Sequence, residues 1–147
     1  MKTLFDEQQR NGLMSRIERV TAETRPTWGK MNAERMLTHL VESMRMAIGE
    51  LQTRPKNLFI RFAPFRQLFV YVLPWPKGVP TAPELIPSDS RNVDDSKREL
   101  ARLCTEFGKR NTREDWPYHP AFGELGRKGW GVLAWRHIDH HLRQFGL

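Results

Sequence analysis

The sequence is poor in cysteine, in histidine and in long apolar stretches. Cys104 is the single cysteine among 147 residues, so no internal disulfide can form. The longest unbroken apolar run covers residues 68–73, far short of the roughly 20 residues that span a bilayer, so no transmembrane helix is expected. The opening Met1-Lys2-Thr3-Leu4-Phe5-Asp6-Glu7 has no apolar core of the signal-peptide kind, and the cytoplasm is the expected compartment. No run of five like charges occurs. The 24 Lys and Arg against 17 Asp and Glu, a formal charge of +7, are scattered along the chain. That excess favours polyanions in general without choosing among nucleic acid, membrane and anionic small molecules. No helix shows a basic stripe interleaved with aromatics for base stacking, so no specific nucleic-acid partner is expected.

What is present reads as one domain over residues 1–147, large enough to bury a core without staples. No alternating strand pattern and no repeat period is visible. Apolar positions at helical spacing predict a first helix within residues 4–20, interrupted at Asn11-Gly12, and a second over 33–51 capped by Asn32. A third helical stretch begins near Pro64. Prolines at 74, 76, 80, 83 and 87 predict a long, stiffened crossover loop. Ser90 or Asn92 caps a further helix ending near Gly108, and a last helix covers about 126–145. The fold class is all-α, a bundle of about four main helices.

Three of the five histidines fall in Trp135-Arg136-His137-Ile138-Asp139-His140-His141. At about 100° per residue, His141 stands roughly 40° from His137 and His140 roughly 60° to its other side, so all three share one side of the last helix. Imidazoles at i and i+4 can chelate a divalent metal, but two ligands need a third from elsewhere. His39, mid-helix beside Met36 and Leu40, is the natural third, because a shared ion would satisfy three core imidazoles at once. His39, His137 and His141 therefore form a candidate open triad. The alternative is that the terminal histidines only complement the helix dipole. Trp130 and Gln144 lie on the same face as pocket candidates. His140 is expected as a supporting or surface residue, and His119, before Pro120, as a loop anchor. Glu42 is the nearest acidic candidate, unless it merely pairs with Arg45 or Arg35. Asp139 should face away and pair with Arg136 or Arg143.

The segments Trp28-Gly29-Lys30-Met31 with His39 shortly after, Pro80-Thr81-Ala82-Pro83-Glu84, His119-Pro120-Ala121-Phe122-Gly123, and Trp130-Gly131 through Arg136-His137-Ile138-Asp139-His140-His141-Leu142-Arg143-Gln144-Phe145 resemble the DUF1569 branch of the DinB-like superfamily. The resemblance spans nearly the whole chain in order. It implies a four-helix bundle holding a divalent metal, Zn or Ni above all, through His39, His137 and His141. It also implies a small-molecule substrate and either a transferase or isomerase that uses a low-molecular-weight thiol or a hydrolase, the ion activating a water or the thiol. Relatives in the superfamily are often dimers, which leaves a homodimer open.

Two other readings stand beside the metal-dependent enzyme. One is a binding module with a structural metal or none. The other takes Phe59, Phe62, Phe65, Phe69, Tyr71 and Trp75, interleaved with Arg61 and Arg66, as a membrane-surface helix. A buried bundle helix is the stronger expectation for that segment, since its aromatics follow one core-like stripe.

Overall fold

Side-chain caps set the starts of three helices. In this computed structural model, which describes residues 1–56, 58–75, 77 and 91–147, the Asp6 carboxylate accepts from the Gln9 N–H at 2.8 Å and opens α1 (Glu7–Glu18). Asn32 accepts from the Arg35 N–H at 2.9 Å and opens α2 (Ala33–Ile48). A 3-10 turn (Phe59–Arg61), a single turn α3 (Phe65–Gln67) and a π-helical turn (Leu68–Val72) follow. Asn92, accepting from the Asp95 N–H at 2.8 Å, opens α4 (Val93–Lys109), and α5 (Gly126–Gln144) completes the set. Each capping oxygen satisfies a helix N–H that has no partner within its own helix. Among the described residues there is no strand, only an isolated bridge between His119 and Gly123. The protein is all-α, as the patterning predicts.

α2 packs against α4 and α5, and α1 against the same two helices. Their apolar stripes meet in one core around Met36, Leu40, Leu103, Phe107, Ile138 and Leu142, all fully buried. Burial of this kind stabilises by about 1.5–3 kcal/mol per large side chain, before the entropy of ordering the chain is subtracted. No described helix is long and apolar enough to cross a membrane.

Three boundaries differ from expectation. The first helix begins at Glu7, and Leu4 is instead buried as part of an entering segment whose N–H donates to the Gly131 carbonyl at 2.9 Å. The second stops at Ile48, because Gly49 turns left-handed (φ 87°) and its N–H closes on Met46. α4 runs through Gly108 to Lys109 rather than stopping there. A Cβ at Gly108 would lie 2.6 Å from the Arg10 guanidinium, so this glycine makes room for α1.

The larger correction concerns residues 58–73. They do not form a buried bundle helix: Val70 alone among them is buried, while Phe59, Phe62, Phe65, Leu68 and Val72 are exposed. The segment is too short in each regular piece to lay one continuous stripe on the core. Arg136 of α5 fixes its end, donating to the carbonyls of Phe69, Val70 and Leu73. The proline-rich crossover expected at 74–87 lies, apart from Pro74, Trp75 and Lys77, outside the described residues, as do Pro80-Thr81-Ala82-Pro83-Glu84 and Ser90.

Candidate metal centre

The contact between α2 and α5 decides where the histidines meet. His39 sits in the middle of α2, and His137 and His141 occupy successive turns of the facing side of α5. The His39 and His137 Nε2 atoms are 3.0 Å apart, and each pair of the three rings has its centroids 4.9 Å apart. One ring nitrogen from each of the three lies within 4.8 Å of the others. His39 and His141 are buried and His137 is partly so.

A string of hydrogen bonds orients one member. The His141 Nδ1–H donates to the Gln144 Oε1 at 2.9 Å, and the Gln144 Nε2 donates in turn to the Trp28 carbonyl at 3.0 Å. With Nδ1 so engaged, the lone pair of His141 resides on Nε2. The next residue in the string, Gly29, has φ 80°, and a Cβ there would stand 2.7 Å from the Gln144 Nε2. Only glycine allows both that backbone and that approach. Thr27 adds a further tie, its N–H and hydroxyl both donating to the Gln144 carbonyl at 2.7 and 3.0 Å. The Trp-Gly motif thus belongs to the histidine centre although 116 residues separate Trp28 from Gln144.

Burial, reinforced by the neighbouring imidazoles, holds His137 well below the ordinary histidine range and takes His141 down to about 3. These two rings are therefore neutral at pH 7. Two nitrogens bound to one ion at about 2.0–2.1 Å stand roughly 2.9–3.4 Å apart for angles of about 90–109°. The 3.0 Å separation of His39 and His137, also a hydrogen-bond distance, falls within that window, whereas the 4.8 Å that bounds all three nitrogens is wider than it. Three imidazole nitrogens, no thiolate and an adjoining cavity make a donor set that could hold a divalent ion with a position left open.

That cavity, about 510 Å³, is bordered by all five histidines of the chain. His140 is half-buried between the Trp28 and Trp75 rings, with centroids 6.1 and 5.8 Å away. Trp130 forms a wall, its indole N–H donating to the Pro117 carbonyl at 3.0 Å. His119 anchors its loop as expected: its Nδ1 accepts from the backbone N–H groups of Ala121 and Phe122, each at 3.1 Å. The proton of this ring is thereby placed on Nε2. Burial brings its pKa down to about 3.

Glu42 is not part of the centre. It pairs with Arg45 at 3.4 Å and Arg91 at 4.0 Å, and among the described residues no carboxylate borders the cavity. Asp139 does face away, pairing with Arg143 at 3.1 Å and, unforeseen, with Arg16 of α1 at 2.7 Å. Arg136, its other expected partner, binds the carbonyls around Phe69 instead. Sequence reasoning also missed Trp75, whose ring lies 5.5 Å from that of His137, and Lys30 and Lys56 at the cavity. Nothing in their local spacing marks them. Only Lys30, next to the Trp-Gly pair, lies in a segment the resemblance singled out.

Comparison with known proteins gives one family. The model of the family described as "Protein of unknown function (DUF1569)" matches residues 8–146. No curated protein and no solved structure matches the chain.

Proposed function

We propose that this chain, which belongs to the DUF1569 family, is a divalent-metal protein of DinB-like type: a four-helix bundle in which His39, His137 and His141 hold the ion for catalysis on a small molecule. The observation that carries the reading is the convergence of one ring nitrogen from each of the three, with two of them 3.0 Å apart beside an apolar cavity. Imidazole ligands accept zinc, nickel, copper or iron, and of these zinc and nickel are the ions we propose.

When bound, such an ion supplies Lewis acidity, enough to bring the pKa of a coordinated water near 7 or to deprotonate a coordinated low-molecular-weight thiol. The residues of the chain do the rest. Gln144 holds the His141 ring in one tautomer, and Trp28 and Gly29 hold Gln144. Leu40, Met44, Ile60 and Leu133 line the cavity with apolar surface, and an apolar wall excludes bulk water from the reacting group. The His119 N–H borders the same space as an uncharged donor. His140 and His119 are the histidines outside the triad that border the cavity, and among the described residues no carboxylate does, so these two are the candidates for moving a proton there.

Metal titration followed by assays of thiol transfer and hydrolysis tests the reading, with wild type beside His39→Ala and His141→Ala. It predicts tight binding and turnover in the wild type and loss of both in the variants. Full turnover in both variants defeats the catalytic role. Chelation that lowers the melting temperature while leaving turnover intact assigns the ion to bracing the bundle instead.

A further inference from the structure

Residues 51–83 contain no Asp or Glu but five cations, Arg54, Lys56, Arg61, Arg66 and Lys77. Within that acid-free stretch the short turns over 59–72 present Phe59, Phe62, Phe65, Leu68 and Val72 to solvent rather than to the core. Phe59 is 64% exposed, Phe62 60%, Phe65 46% and Val72 67%. Phe59 and Phe65 meet edge to face, with centroids 5.4 Å apart, so the aromatics form one surface cluster. The Arg61 guanidinium lies over the Phe62 and Tyr118 rings. Beside the cluster runs a groove of about 490 Å³ lined by Met1, Leu68, Tyr71, Val72 and Lys128, whose ammonium sits 5.8 Å above the Tyr71 ring. The segment is held firmly from behind: Val70 is fully buried, the Trp75 indole donates to the Phe69 carbonyl at 3.1 Å, and Arg66 donates to the carbonyl of Glu124, at 2.9 Å.

From this arrangement we infer that the Phe59, Phe62, Phe65 and Val72 face docks on an anionic lipid surface, with its aromatics entering the headgroup region and its cations facing the phosphates. Charge complementarity selects that occupant over a second copy of the chain. A two-fold contact through this face would set Arg61 and Lys128, which lie over its Phe62 and Tyr71 rings, against the like charges of the second copy, whereas an anionic bilayer gains from each basic group near its surface. Amphipathic aromatic and basic side chains on one face are also the composition that interfacial binding uses. Leu58, Ile60, Phe69 and Trp75 of the same stretch line the histidine cavity, so docking by this segment would bring the cavity near the bilayer.

The test is co-sedimentation of the full chain with vesicles of phosphatidylglycerol and phosphatidylcholine, against phosphatidylcholine alone, at low and at high salt. Metal-loaded and metal-stripped protein are run in parallel, so the outcome is independent of the proposed metal chemistry. Binding to the anionic vesicles only, abolished by high salt, is expected. The double variant Phe59→Ala with Phe62→Ala should weaken it at least roughly tenfold. Both side chains are exposed, so the melting temperature of the variant should stay within about 2 °C of wild type. No sedimentation of the wild type with anionic vesicles at low salt overturns the inference, as does equal binding to the neutral ones or undiminished binding by the double variant. Sedimentation velocity covers the remaining case: a dimer that the double variant dissociates assigns the face to a second copy.

Discussion

Adding one methyl group at Gly29 should weaken metal binding without touching a ligand. The residue has φ 80°, where an alanine costs about 1–2 kcal/mol. Its new Cβ would stand 2.7 Å from the Gln144 Nε2, and Gln144 is a flexible side chain, so the clash resolves by Gln144 swinging away. That movement breaks its bonds to the Trp28 carbonyl and to the His141 Nδ1. Together with the strain, the losses amount to about 2–4 kcal/mol of stability for the metal-free protein. For a chain of this size the melting temperature should fall by very roughly 5–15 °C. Freed of its partner, the His141 ring no longer holds the tautomer that offers Nε2, and loss of a partner of this kind typically lowers metal affinity about 10–100-fold. Competition with a chromogenic chelator measures the affinity, and calorimetry of the metal-free form measures the stability. Gln144→Glu serves as a control, since a carboxylate still accepts from Nδ1 but cannot donate to the Trp28 carbonyl. Affinity within twofold of wild type in Gly29→Ala, with the melting temperature lowered, would refute the claim that this string of hydrogen bonds tunes the centre.

Acid should destabilise the fold through His119. Its folded pKa is taken down to about 3 by burial, so stability is complete above the unfolded value near 6.5 and is lost as the pH falls from there toward 3. The slope from this one ring approaches about 1.4 kcal/mol per pH unit, and His119→Asn, whose oxygen can still accept from Ala121 and Phe122, should remove it from the pH profile of denaturant unfolding; an unchanged profile would contradict the assignment. Cys104 is fully buried in α4 and its thiol is pushed up to about 12, so a disulfide reagent should modify it only as fast as the protein opens. Rapid stoichiometric labelling of the native protein at pH 8 would show that the core is not closed around it.

The parts legible in the sequence are those set by local chemistry. Asn32 and Asn92 cap helices because their side chains bond three residues ahead, and His137 and His141 share a face because the helix repeat puts them there. His39 was within reach because a histidine among core residues needs a partner. Residues 58–73 were misread since a stripe of aromatics every three or four residues has the same period whether it meets core or water. Gly108 read as a stop because its sequence context cannot show the Arg10 guanidinium lying against it. Glu42 looked like a candidate by its distance from His39 along the helix, but three residues on turn it toward Arg45 and Arg91. The role of Gly29 became visible only once α5 brought Gln144 to it.

Anomalous diffraction at the zinc and nickel edges, from crystals of protein purified without an immobilised-metal column, bears most directly on the centre. One peak should lie about 2.0–2.2 Å from a ring nitrogen of each of His39, His137 and His141. Crystals grown with excess divalent metal that show no peak among these three rings, or a peak touching only one of them, would contradict it.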